Sequence, residues 1–117
     1  MTGCDIIIRW VQAYEDLVDN LYTPEQRLRL AYEMRTQQRF YEVIKKSYNY
    51  GHTTHRGMLL YILRYHFRTP HKDLQSLTGY LCLQPAIRAM ELFQSELNVN
   101  PELKRIYNDI CTMLSIN

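Results

Sequence analysis

The stretch that most constrains this chain runs from about Thr54 to Phe67. Met58, Leu59, Leu60, Ile62, Leu63 and Phe67 place apolar side chains on nearly every face of a helix there. Such a helix belongs at the centre of a fold, with the remaining elements packed around it. Arg68-Thr69-Pro70 ends it, because proline disfavours helical backbone in the residue before it. The expected span of this central helix is 54–68. The polar run Ser47 to His55 before it reads as a loop by composition.

The other elements follow from periodicity and punctuation. Ile6, Ile7, Trp10, Val11, Tyr14, Leu17 and Val18 recur at steps of three and four, which predicts an amphipathic helix over about 5–20. Asp5 is a suitable cap for it. Thr23-Pro24-Glu25-Gln26 carries a capping hydroxyl, a proline at the first helical position and a glutamine able to reach back. The helix it opens, with Leu28, Leu30, Ala31, Met34, Phe40, Tyr41, Val43 and Ile44 as apolar residues, is expected to run to about 48. The polar section from Arg35 to Arg39 is its candidate break. A short helix over 71–78 keeps Leu74 and Leu77 inward, Gly79 supplies a turn, and a longer helix runs over 83–97 with Pro85 near its start. Asn100-Pro101 opens a last helix over 101–114, striped by Leu103, Ile106, Tyr107, Ile110 and Leu114.

These elements predict an all-α protein: one compact domain over 1–117, with about six helices. Its 1–50 half is an N-terminal helical pair, and its 51–117 half contains a helix-turn-helix. A chain of 117 residues with 46% apolar content suits a single core. Of the ten tyrosines, Tyr14, Tyr32, Tyr41, Tyr61 and Tyr107 fall on or beside helical stripes, as core residues do. Tyr48, Tyr50, Tyr65 and Tyr80 lie near the loop or the turn, where rings serve for stacking on bases or for a protein contact.

Charge distribution is more informative than the formal net charge of +2. Arg35, Arg39, Lys45, Lys46, Arg56, Arg64, Arg68 and Lys72 stand against the single acid Glu42 in the middle of the chain. Acids gather towards the two ends. A basic middle of this kind is suited to a polyanion. No apolar run approaches the roughly 20 residues of a membrane span, and the opening MTGCDIIIRW does not read as a secretion signal. Three cysteines without paired spacing read as reduced thiols, so a cytoplasmic protein without a membrane partner is expected. His52 and His55 lack the cysteines that would make a metal site, and no Cys–His or paired-carboxylate motif suggests catalysis. The expectation is a non-enzyme with no cofactor and no metal.

Short helix, glycine turn and longer helix form a helix-turn-helix pattern. Arg56-Gly-Met-Leu-Leu-Tyr-Ile-Leu-Arg64, Lys72-Asp-Leu-Gln-Ser-Leu-Thr-Gly79, Ala86-Ile87-Arg88-Ala89 and Asn100-Pro101-Glu102-Leu103-Lys104 together resemble the C-terminal DNA-binding domain of DnaA, the bacterial replication initiator. That domain is all-helical and related to the tryptophan repressor. The resemblance covers about 56–104. It implies Arg56 in a minor groove at the start of the central helix, and Arg64 on the DNA backbone. Arg68, Lys72, Gln84 and Arg88 complete the candidate DNA-binding set. Where the family carries Arg-Asp-His-Thr-Thr, this chain has Leu81-Cys82-Leu83-Gln84-Pro85, which removes most groups able to read base edges. No phosphate-binding loop ending in Lys-Ser/Thr occurs.

Two functions are therefore expected. One is binding of duplex DNA mainly through phosphates, in replication or transcription control of a phage or mobile element. The alternative is a protein-interaction or homodimerisation module, in which Tyr80, Leu81 and Leu83 form the contact strip.

Overall fold

The computed structural model describes residues 23–46 and 50–116; the helix expected over 5–20 lies outside the described residues. The all-α expectation is met, with six helices among the described residues. They are α1 (Pro24–Thr36), α2 (Phe40–Ile44), α3 (Tyr50–Tyr61, continued by a π-helical turn over Ile62–His66), α4 (His71–Thr78), α5 (Gln84–Leu97) and α6 (Pro101–Met113).

Local chemistry sets the helix ends. Thr23 and Gln26 form a reciprocal capping box, with the Gln26 N–H donating to Thr23 Oγ1 (3.3 Å) and the Thr23 N–H to Gln26 Oε1 (3.1 Å). At the other end of α1 the helix stops instead of running on to 48. Thr36 Oγ1 donates back to the Tyr32 carbonyl at 2.8 Å, and Gln37 turns into the left-handed region at φ 64°. The Glu33 carboxylate then accepts the Phe40 N–H at 2.9 Å, so a side chain of α1 caps the start of α2. Two polar side chains and the left-handed turn at Gln37 thus divide what the apolar stripe alone would have continued. The chain leaves α2 in extended conformation at Lys45.

The central helix starts earlier than composition suggests. Tyr50 to Thr53, expected as loop, form the first turn of α3, and His52, Thr53, Thr54 and His55 are all half-buried. Burial against neighbouring elements overrides the weak helix propensity of glycine, threonine and histidine here. At its far end α3 widens. The Phe67 N–H reaches the Ile62 carbonyl (3.2 Å) and the Thr69 N–H reaches Leu63 (2.9 Å). Arg68 adopts φ 56°, which turns the chain towards Pro70 and α4.

Met58, Leu59, Leu60, Ile62 and Leu63 are all buried, as an all-round apolar helix requires. The main partner of α3 is α5, which contributes Ala86, Ala89, Met90 and Phe93. On other sides lie α2, with Phe40, Val43 and Ile44, and α1, with Leu28 and Tyr32. The last helix, α6, packs on α1 and α5. Arg35 Nε meets Asp109 Oδ2 at 2.7 Å across the α1–α6 contact. Tyr41, expected in the core, is instead 39% exposed, and Met34 of the apolar stripe is 57% exposed. The break at Gln37 turns α2 away from the line of α1, so one stripe cannot serve both. The Tyr41 hydroxyl donates to Glu25 Oε1 instead, at 2.9 Å.

The α3–α5 crossing is close because Gly57 sits in it. A Cβ added at Gly57 would overlap the Ala89 carbonyl oxygen, lie 2.7 Å from the Ala89 carbonyl carbon and 3.0 Å from Phe93 Cβ. Gly57→Ala gains up to about 1 kcal/mol of helix propensity but forces two backbones apart in a packed core. The expected outcome is a net loss of about 1–3 kcal/mol of stability, read as a lower urea midpoint with an unchanged slope.

Candidate nucleic-acid interface

The candidate interface is built on α4, the turn after it and the first two turns of α5. Gly79 ends α4 at φ 76°, in the left-handed region, and its N–H donates to the Gln75 carbonyl at 2.9 Å. Thr78 is buried and its hydroxyl donates to the Leu74 carbonyl at 3.0 Å. Gln75 Nε2 donates to the Leu81 carbonyl at 2.9 Å, which fixes the turn on the helix before it. Pro85 lies in the first turn of α5, where its missing N–H costs nothing.

A second set of bonds holds this turn from below. Arg56 is 2% exposed. Its Nε donates to the Val43 carbonyl at 2.9 Å and its Nη1 to the Tyr80 hydroxyl at 3.2 Å. The Lys46 N–H donates to the Thr78 carbonyl at 2.8 Å. The end of α2 and the turn between α4 and α5 are thereby joined through the central helix.

Arg56 is therefore a buried strut and not the groove-entering side chain that the resemblance implies. The reason is the early start of α3: Arg56 stands in its second turn, facing the protein, and not at its exposed beginning. Arg64 is half-buried, with Nη1 donating to the Thr69 carbonyl at 3.2 Å, which ties the π-helical turn. The exposed members of the expected set are Arg68, Lys72, Gln84 and Arg88. Gln84 and Arg88, four residues apart, share the outer face of α5, while Ala86, Ala89 and Met90 face the core.

Of the expected strip, Tyr80 and Leu83 are half-buried and pack against the core. Leu81 stands 92% exposed beside the exposed Cys82. Two cations absent from the expected set also belong here. Lys45 and Lys46 are exposed and lie next to the turn through the Lys46–Thr78 bond. The signal for them was the chain's only Lys-Lys pair, but a helix continuing to 48 would have carried it elsewhere. Glu91, exposed and one turn beyond Arg88, is the acid that closes this face.

No family model matches the chain, and no curated protein or solved structure matches it.

A separate polar cleft of about 450 Å³ is lined by Arg35, Thr36, Gln38, Thr54, His55, Asn100, Glu102, Leu103 and Ile106. Its polar groups act mainly as joints between helices. His55 Nδ1 lies 2.8 Å from the Tyr32 hydroxyl, which in turn is 3.1 Å from Gln38 Oε1. Burial pushes the Tyr32 phenol up to about 12, so it keeps its proton and always has one to donate. Asn100 Oδ1 caps α6 by accepting the Leu103 N–H at 3.1 Å. Among the described residues there is no cluster of His, Cys, Asp and Glu able to hold a metal ion, and no helix is long and apolar enough to cross a membrane.

Two outcomes follow from these joints. Arg56→Met keeps the length of the side chain but leaves the Val43 carbonyl and the Tyr80 hydroxyl without their donor. It should cost about 1–3 kcal/mol in chemical denaturation, with no DNA present. His55 is held below its ordinary value, first by burial and then by neighbouring His52, with Glu102 opposing. Between that lowered value and the unfolded value of about 6.5, the unfolded chain binds more protons, so stability rises with pH. The His55 contribution is present above about pH 6.5 and falls away below it. His55→Gln should flatten this slope in unfolding free energies measured across that window.

Proposed function

We propose that this chain binds duplex DNA mainly through phosphates, as a small protein of replication or transcription control in a phage or mobile element. The observation that carries this reading is the set of exposed cations around one rigid turn. Lys45 and Lys46 lie beside it, Lys72 is on the helix before it, and Arg88 is on the outer face of the helix after it. A helix-turn-helix with its inner face buried and its outer face cationic can lay α5 in a major groove while lysines meet the flanking phosphates. Gln84 is the side chain on that face best suited to base reading, since its amide matches the adenine edge. Arg56 adds nothing to the contact directly; it keeps the turn in shape.

The competing protein-contact reading is favoured by Leu81, whose side chain is almost wholly in solvent. Tyr80 and Leu83 do not extend that patch, because both rest on the core. A single exposed leucine is ordinary for a soluble surface, and the cations around it disfavour pairing with a second copy.

The test is binding of the full chain to a random-sequence duplex, followed by fluorescence anisotropy at roughly 50 and 200 mM salt. With three or four phosphates neutralised, log affinity should fall with log salt at a slope of about −3 to −4. Arg88→Ala should weaken binding and lessen the slope by about one. Glu91→Gln should tighten binding, because it removes an anion from the DNA-facing side of α5. Absence of binding at low salt would overturn the reading.

A further inference from the structure

We infer that Leu81 is a base-reading side chain, which packs on the C5-methyl group of a thymine in the major groove. The inference rests on the DNA-binding reading above and names the specificity of that same face. Three observations carry it. First, Leu81 is held in solvent by its neighbours and is not a loose tip. Its carbonyl accepts from Gln75 Nε2, Tyr80 before it is held by Arg56, and Leu83 after it is packed on the core. The side chain is 92% exposed on a backbone fixed at both sides.

Second, its place in the chain puts it in the turn, three residues before Gln84 opens α5. Leu83 already has helical backbone angles, φ −80° and ψ −24°. At about 100° per residue, positions 84 and 88 of α5 fall within roughly 40° of each other, and Leu81 lies in the bent residues just before them. The residues that face the core, Leu83, Ala86, Ile87 and Met90, fall opposite. A ligand that spans Gln84 and the turn before it meets Leu81 as well.

Third, the surroundings select the partner. Lys45, Lys46 and Arg88 make this a cationic surface on which Leu81 is the exposed apolar residue of the turn, with Leu92 exposed further along α5. Its complement is a polyanion that offers an isolated small apolar group at the depth of its base edges. The thymine methyl in the major groove of DNA is such a group, and RNA lacks it. With Gln84 matched to adenine, the same face reads neighbouring A·T pairs through one amide and one methyl contact. A second copy of the chain would bring like charges together around Leu81, and a lone leucine is too small an anchor for a lipid surface.

The test compares two duplexes of alternating adenine and thymine, identical except that one carries deoxyuridine for every thymidine and so lacks only the methyl groups. Anisotropy of the full chain should show about threefold to tenfold weaker binding to the uracil duplex. Leu81→Ala should bind both duplexes alike, at the level of the wild-type protein on uracil. Because Leu81 touches so little of its own chain, the variant should keep the wild-type urea midpoint, so a lost preference cannot be laid to unfolding.

Equal binding of the wild-type protein to both duplexes would overturn the inference while leaving DNA binding intact. So would a thymine preference that survives Leu81→Ala. Binding to neither duplex, nor to the random-sequence one, would overturn the DNA reading itself. If sedimentation showed a dimer that Leu81→Ala dissolves, with duplex affinities unchanged, the residue would belong to an interface between copies.

Discussion

The contact of Gly57 with the Ala89 carbonyl is the constraint on which the remaining packing depends. Two helices can approach this closely only where one of them has no side chain. That approach makes α3–α5 the most extensive helix pair of the described fold and buries Phe93, Met90 and Ala86 against the central helix. It also fixes the direction in which α5 leaves the turn. The outer face of α5, with Gln84 and Arg88, is outer because its inner face is committed to this crossing.

One residue earlier, Arg56 serves the same end by different means. A buried guanidinium has to be surrounded by acceptors, and here these include the Val43 carbonyl and the Tyr80 hydroxyl. Neither acceptor lies on its own helix. The requirement therefore brings the end of α2 and the turn after α4 to the same place. Lys45 and Lys46 come with α2, and Leu81 comes with the turn. A cationic surface with an exposed leucine is a by-product of satisfying one buried charge.

Much of this was legible in the chain. The capping box at Thr23, the span 71–78, the turn at Gly79, the proline in the first turn of α5 and the start of the last helix at Pro101 are all where local signals put them. Such features depend on residues within four positions of each other, so no distant partner can move them. The break at Gln37 was visible only as a polar section. What decides it is the Thr36 back-bond and the Glu33 cap on Phe40, hydrogen bonds for which hydropathy patterns carry no signal. Tyr41 was placed in the core because a single stripe was read through that break.

The candidate site was harder to read, since side-chain type does not say whether a charge is spent inside. Arg56, Arg64, Arg68 and Arg88 are the same residue in the sequence. In the fold the first is a strut, the second ties a π-helical turn, and the last two face solvent. By itself the sequence determined the all-helical class, the central position of α3 and the order of short helix, glycine turn and longer helix, because these follow from apolar periodicity and from proline and glycine. Only the tertiary structure decided which cations and which leucine of the turn stand free, because that depends on which acceptors and apolar surfaces the other helices bring within reach.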